Sequence, residues 1–347
     1  MLDILRIILS PFVFVYAAVV HLRNLFFDKK IFKAVNAGSK IISVGNLTVG
    51  GSGKTPTVIY VTNLLKSYGR KTGILSRGYG RKSSGYILVS DGSGIKVPIE
   101  MCGDEMYLLS DETNVPCAVS ERRASGVEKF LKDVPLDVIV LDDAFQHRWI
   151  HRDLNILVVD QRFLGKTGRV EQNMLPLGLM REPFEAIERA DVVIINRKFS
   201  DKEEIPGRLQ KYFKGKKIFT AHYSVSGIYD LKTHHHYKME DFQGQKSLVV
   251  CGIARPYSFL SILEQNNINI ENKLIFTDHK DYSLKEVQKI RKKFYETNAY
   301  SVLTTQKDAV KLIYFSKELD DIDIYYLKIE LKLDNPGEFE EVLKRIH

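Results

Sequence analysis

From about residue 41 onward the chain alternates short, near-continuous apolar runs with longer segments of helical spacing. The runs at residues 40–44, 72–75, 138–141, 155–159 and 192–195 read as strands covered on both faces. Residues 57–68 and 122–131 carry their apolar positions at helical intervals. This alternation predicts an α/β fold: a parallel sheet with helices on both faces. Near residue 216 the texture changes. Residues 222–237 are polar and aromatic, with His234, His235 and His236 in a row, and read as a hairpin or linker. Adjacent positions on a strand alternate faces, so the three histidines read as linker surface rather than a metal site. A second α/β stretch follows, with strands at 247–251, 274–276 and 301–304 and helices at 257–265 and 284–295. The expected organisation is an N-terminal segment over 1–35, a core domain over 36–215, a β linker over 216–245 and a smaller C-terminal α/β domain over 246–347.

Residues 7–20 (IILSPFVFVYAAVV) are apolar apart from Ser10 and Pro11. A spanning helix needs about 20 apolar residues, so the run is short. Basic residues flank it: Arg6, Arg23, Lys29, Lys30 and Lys33 stand against only Asp3 and Asp28 in the first 33 positions. The polar, basic sequence after the run is a poor signal-peptidase site. The reading we favour is a helix lying in the bilayer interface, held by its basic flanks on anionic lipid. A tilted anchor reaching Phe27 and a first helix packed on the protein's own core are the alternatives. In each case the downstream machinery is expected to face the cytosol.

Composition narrows the picture. Over 347 residues, 44% are hydrophobic and 27% charged, which excludes a disordered chain, a fibre and a polytopic membrane protein. Lys and Arg exceed Asp and Glu by 51 to 43, which favours an anionic or phosphorylated partner. No basic block interleaved with aromatics marks a nucleic-acid groove, and no obligate protein partner is indicated. Cys102, Cys117 and Cys251 are an odd, dispersed set, so neither a disulfide framework nor a zinc site is expected.

The strongest chemical signal is Gly45-Asn46-Leu47-Thr48-Val49-Gly50-Gly51-Ser52-Gly53-Lys54-Thr55, set between the first strand and a helix with Pro56 in its first turn. Glycines let backbone N–H groups turn inward around phosphate oxygens, and the helix N-terminus adds its dipole. Gly50, Gly51, Ser52 and Gly53 form the cradle, Lys54 reaches the β/γ-phosphates and the Thr55 hydroxyl ligates Mg²⁺. Thr48 stands where the strict pattern has Gly. A metal-holding carboxylate is supplied by Asp142 and Asp143 at the end of the 138–141 strand. Being adjacent they point apart, so one can meet the magnesium shell while the other contacts substrate, water or a cation.

Further segments place polar side chains at strand ends, the edge where open α/β sheets bind ligands. Ser76-Arg77-Gly78-Tyr79-Gly80-Arg81 follows one strand, Gly103-Asp104-Glu105 opens a helix, and Glu121-Arg122-Arg123 follows Ser120. Phe145-Gln146-His147-Arg148 comes directly after the paired aspartates and so lies near the metal.

Together VGNLTVGGSGKTPT, SRGYGR, GDE, LDDAFQHR, HRDLNILVVD and LPLGLMREP resemble the tetraacyldisaccharide 4′-kinases, the lipid A 4′-kinases of Gram-negative bacteria. The resemblance runs from about residue 41 to 196 and thins to 251–256, 278–279 and 305–309. Ala144, where Gly is expected, and a looser 177–180 segment are departures that remove no functional group. The resemblance implies a two-lobed P-loop fold and transfer of the ATP γ-phosphate to the 4′-hydroxyl of tetraacyldisaccharide 1-phosphate, forming lipid IVA at the cytoplasmic face of the inner membrane. It assigns Asp104 as the base for the 4′-hydroxyl proton, oriented by His279 of the second domain, with ATP and Mg²⁺ as cofactors. Arg77, Tyr79, Glu105, Arg122, Arg123, Gln146 and His147 are candidates for substrate or γ-phosphate contacts. A P-loop GTPase or ATPase acting as a switch or metallochaperone is the competing class. It calls for a Cys/His delivery motif or an Asn-Lys-x-Asp reader, which Asn196-Arg197-Lys198 and Gln306-Lys307-Asp308 only approximate.

Overall fold

The computed structural model describes residues 2–166, 170–253, 256–278 and 280–346. His279 and the Ala254-Arg255 pair therefore lie outside the described residues. The chain divides into two units, Met1–His222 with Leu331–His347, and Tyr223–Glu330.

In the first unit, helix α1 (Leu2–Asp28) precedes strand β1 (Lys40–Gly45), helix α2 (Lys54–Ser67), β2 (Thr72–Ser76), β3 (Ile87–Asp91), the short α3 (Ile99–Cys102), α4 (Asp104–Thr113), β4 (Pro116–Val119), α5 (Arg123–Asp133), β5 (Val138–Asp142) and β6 (Leu154–Asp160). A short α6 (Gln161–Leu164), β7 (Val192–Lys198), α7 (Gly207–Phe213) and the start of β8 (Lys217–Asp230) follow. The strands lie in the order β3-β4-β2-β5-β1-β6-β7-β8, and all neighbours are parallel except the β3–β4 edge pair. Two apolar clusters lie side by side on one face of the sheet, because the register pairs Ile41 with Ile139 and Gly45 with Leu157, while the alternate positions Ile42, Val44, Ile74 and Val140 are buried on the other face. Ile41, Leu75, Ile139 and Leu141 pack with Val127 and Phe130 of α5 in one cluster. Leu157, Val159, Val193 and Ile195 pack with Leu209 and Phe213 of α7 in another. This is the mostly parallel, doubly covered sheet that the apolar runs predict.

Two strands escape the pattern. β3 is a half-buried, antiparallel edge strand, and β4 has only four residues. The C-terminal helix α11 (Pro336–Lys344) also belongs to this first unit, where fully buried Phe339 meets Phe219 at 5.3 Å and Tyr60 at 6.1 Å. The residues expected to close a smaller C-terminal domain thus return to the first unit's core.

The second unit holds the end of β8 with its antiparallel partner β9 (His236–Tyr237), then β10 (Ser247–Cys251), α8 (Pro256–Gln265), β11 (Asn272–Ile275), α9 (Leu284–Glu296), β12 (Ser301–Thr305), α10 (Gln306–Leu312) and most of β13 (Ile324–Leu333). Its strands run parallel in the order β11-β10-β12-β13. Asp308 is fully buried there, accepting from the Gly252 amide at 3.0 Å, the Tyr282 hydroxyl at 3.0 Å and the Thr305 hydroxyl at 2.6 Å. This ties the 251–256 and 305–309 motifs together as a structural joint.

Over Ser10–Asp28, α1 is long and apolar enough to cross a membrane, with only 11% of that stretch buried. Phe12, Phe14, Val15 and Val19 are exposed, whereas Val20 and Phe27 are buried. The described part of the helix is therefore not a core helix: it is docked through its C-terminal half and presents apolar side chains outward.

Candidate active site

The parallel sheet brings the C-terminal ends of β1, β5, β2 and β4 side by side, with Val44 opposite Asp142, Leu75 opposite Leu141 and Ser76 opposite Val119. Between β1 and α2 the loop turns through left-handed glycines, Gly50 at φ 96° and Gly53 at φ 102°. Gly53 occupies the N-cap of α2 and offers no side-chain cap, so the first amides of that helix are left to an outside acceptor. An unblocked helix N-terminus with inward backbone N–H groups is chemically suited to phosphate. The loop is braced from behind. Asn46 Nδ2 donates to Ser52 Oγ at 2.8 Å, Asn196 Nδ2 to the Ser52 carbonyl at 3.1 Å, and Lys198 Nζ to the Gly51 carbonyl at 2.8 Å. Lys198 also pairs with buried Asp160 at 2.8 Å. Asn196-Arg197-Lys198, which approximates a base-reading motif in sequence, thus has its first and third side chains on the phosphate loop.

Asp142 and Asp143 diverge because the chain turns into the left-handed region at Asp143, φ 47°. Asp142 is buried. Its Oδ2 accepts from Ser76 Oγ at 3.1 Å, while Oδ1 finds no hydrogen-bond partner among the described residues. Burial, then the charges of Glu105 and Asp143, push its proton affinity up. A buried carboxylate with an orphaned oxygen, facing other acids, is a site that calls for a cation. Asp143 has the opposite environment. Burial pushes it up, but Lys54 at 3.7 Å and the Arg181 guanidinium at 2.7 and 3.0 Å outweigh burial and hold it at about 2. No three His, Cys, Asp or Glu side chains among the described residues converge as an all-protein metal cage. Mg²⁺ in nucleotide sites takes one or two protein ligands and completes its shell with phosphate and water. Asp142, with Thr55 at the start of α2, fits that role.

Arg123 is buried and donates to the carbonyls of Asp142 at 3.3 Å and Asp143 at 3.2 Å, holding the turn rather than facing solvent. Arg77 and Arg122 are exposed at the ends of β2 and β4. Glu121 holds the 76–85 loop beside them by pairing with Arg81 and accepting from the Gly85 amide at 3.1 Å. Tyr79 is 67% exposed on this loop.

Asp104 is the first residue of α4, and its Oδ1 accepts from the Glu105 amide at 2.9 Å. Gly103 before it has φ 84°, and a Cβ there would sit 2.5 Å from the Tyr79 carbonyl. Only glycine lets the 76–81 loop and the start of α4 approach so closely. Gly103→Ala is therefore expected to destabilise the protein by about 2 kcal/mol or more. Thermal unfolding of the variant beside wild type checks this.

Gln146 faces inward. Its Nε2 donates to the Asn46 carbonyl at 2.8 Å and to Glu182 at 3.2 Å. His147 is held neutral: burial, then Arg123, Arg152, Arg23 and Arg77, lower it from 6.5 to about 4. With its folded value depressed, the stability tied to neutral His147 is present above pH 6.5 and is lost as pH falls towards 4. We expect His147→Asn to flatten the decline in thermal midpoint over that interval, measured across a pH series without nucleotide.

Sequence reasoning gave no role to Arg181 and Glu182, although both stand in the LPLGLMREP segment. Arg181 clamps Asp143 and Asn46, and Glu182, 1% exposed, collects Asn24, Gln146 and Arg189.

A P-loop braced by polar side chains, with paired strand-end aspartates and a third carboxylate at a nearby helix start, defines a phosphoryl-transferring P-loop nucleotide enzyme. The family is more particular: residues 5–347 match the model of the tetraacyldisaccharide-1-P 4′-kinases, and the chain belongs to that family. The tetraacyldisaccharide 4′-kinase of Pelobacter propionicus is 33% identical over 98% of this chain and 92% of its own. That of Aquifex aeolicus is 32% identical over 99% of both. The crystal structure of LpxK from Aquifex aeolicus in complex with ATP covers 99% of both chains at a TM-score of 0.82.

Proposed function

We propose that this chain transfers the γ-phosphate of ATP to the 4′-hydroxyl of tetraacyldisaccharide 1-phosphate, forming lipid IVA in lipid A biosynthesis, at the cytoplasmic face of the inner membrane. The observation that carries the reading is the arrangement at one sheet edge: a P-loop with an open helix N-terminus, the cation-seeking Asp142, and Asp104 presented at the start of α4. Phosphoryl transfer needs little covalent chemistry from a protein; positioning and charge stabilisation dominate. Backbone amides of Gly50 to Thr55 hold the phosphates and Lys54 neutralises charge on the transferred group. Thr55 and Asp142 hold Mg²⁺, which when bound offsets phosphate charge and aligns its oxygens. Asp143 is kept anionic by Lys54 and Arg181, and so orients both cations around the phosphate loop. Asp104 accepts the proton of the sugar hydroxyl, with Glu105 beside it. His279 retains the orienting role that the family resemblance gives it. The exposure of Arg77, Arg122 and Tyr79 at strand ends supports their contact with the anionic, sugar-bearing acceptor. The exposed apolar side chains of α1 and the basic residues near it suit an enzyme whose acceptor resides in a lipid surface.

The test is transfer of labelled phosphate from ATP to the disaccharide lipid in detergent micelles, beside Asp104→Ala. The expected outcome is a labelled lipid with wild type and a loss of at least 10²-fold in the variant. Labelling that survives the substitution would remove Asp104 from the base role, and ATP hydrolysis without labelled lipid would remove the acceptor.

A further inference from the structure

Helix α1 does more than present an apolar face: it is bonded to the residues that hold Asp143. Tyr16 Oη donates to the Arg181 carbonyl at 3.1 Å, and the same Arg181 grips Asp143 through two bonds at 2.7 and 3.0 Å. One residue on, buried Glu182 accepts from Asn24 Nδ2 of α1 at 3.0 Å, lies 3.6 Å from Arg23 of α1, accepts from Gln146 Nε2 at 3.2 Å and pairs with Arg189. Arg23 also donates to the Gln146 carbonyl at 2.7 Å, and Gln146 donates to Asn46 of the phosphate loop at 2.8 Å.

We propose that Tyr16 and Glu182 are positioning residues that couple the seating of α1 to the geometry of Asp143 and the phosphate loop. How firmly Mg²⁺·ATP is held then depends on how α1 is docked. The inference rests on the kinase reading given above. Residues 181–182 form a two-residue bridge with one end on the helix and the other on the site. The physical argument concerns rigidity. A buried carboxylate satisfied by donors from three separate elements fixes all three relative to one another, and removing one donor leaves others unpaired in low dielectric. A helix serving as an anchor alone would need apolar contacts at its outward face; it would not need a hydroxyl aimed at the carbonyl of the residue that holds Asp143. The outward face, with Phe12, Phe14, Val15 and Val19, is separate from these bonds. Contact with lipid and contact with the site therefore use different side chains of one helix.

The two roles separate experimentally with Tyr16→Phe in the full chain, which removes one hydroxyl and leaves the apolar surface intact. Glu182→Gln is the companion variant. Four quantities are measured: kcat and lipid KM in mixed micelles, the Mg²⁺ concentration at half-maximal binding of a fluorescent ATP analogue without acceptor, and sedimentation with phosphatidylglycerol vesicles. For Tyr16→Phe we expect kcat to fall about 5-fold and the Mg²⁺ requirement to rise several-fold, with lipid KM and vesicle binding unchanged; Glu182→Gln should move the same quantities further. Unchanged kcat and Mg²⁺ dependence in Tyr16→Phe would overturn the proposal, as would an effect confined to lipid KM or vesicle binding. The nucleotide-binding readout needs no lipid acceptor. A shifted Mg²⁺ dependence beside a wild type that labels no lipid would keep the coupling while rejecting the kinase reading.

Discussion

Replacing Lys54 by Met is expected to lower kcat for phosphoryl transfer by about 10³-fold, roughly 4 kcal/mol of transition-state stabilisation. Lys54 is the first residue of α2, and its ammonium lies 3.7 Å from Asp143. In the transition state negative charge spreads over the transferred group, and a cation fixed there by α2 requires no reorganisation as that charge develops. Methionine keeps the length of the stem and removes the charge. Asp143 still holds both bonds to Arg181, so the local structure is expected to survive. The thermal midpoint should therefore move by only a few degrees while labelled product nearly disappears. Retention of a tenth or more of wild-type kcat would contradict the assignment of Lys54 to the phosphates.

Asp142→Asn is expected to change activity and stability in opposite directions. The carboxylate is buried, one oxygen is orphaned, and Glu105 and Asp143 add like charge, so its ionised form is disfavoured until a cation arrives. Its folded proton affinity lies above the ordinary 3.8, so the stability it contributes is present below that pH and is lost as pH rises through the raised value. Asparagine keeps the shape and can still accept from Ser76 while carrying no charge. At neutral pH without Mg²⁺ the variant should therefore unfold at the same temperature as wild type or higher. In the presence of Mg²⁺ and ATP, wild type should gain the stabilisation that ligand binding confers and the variant should gain less. The rate of lipid phosphorylation should fall by at least 10²-fold. A variant destabilised without metal yet active with it would mean that Asp142 serves the fold and the metal is held elsewhere.

The features legible in the sequence are those whose physical signal is local. Strands buried on both faces write themselves as apolar runs, and β1, β2, β5, β6 and β7 begin within one residue of the runs that predict them. The glycine-rich loop needs a fixed spacing between strand and helix, so it is visible without the fold. β3 was not legible because an edge strand with half-buried side chains carries no continuous run, and four-residue β4, too short for any period, is marked only by the strand end read at Ser120. Arg181 and Glu182 lie in an irregular segment between β6 and β7, and their roles depend on partners 38 and 158 positions away. Nothing in their neighbourhood encodes that distance. The polar bracing of the phosphate loop by Asn196 and Lys198 is hidden for a related reason: donors at the end of one strand meet carbonyls at the end of another. The return of α11 to the first unit likewise follows from the burial of Phe339, not from where the sequence texture changes.

The most direct test of the account is the chemical identity of the product. Full-length protein incubated with Mg²⁺·ATP and tetraacyldisaccharide 1-phosphate in micelles should convert the lipid to a species heavier by one phosphate, with ADP formed in equal amount and phosphorus NMR placing the new ester at the 4′ position. A lipid left unchanged while ATP is consumed, or a phosphate found at another hydroxyl, would contradict it.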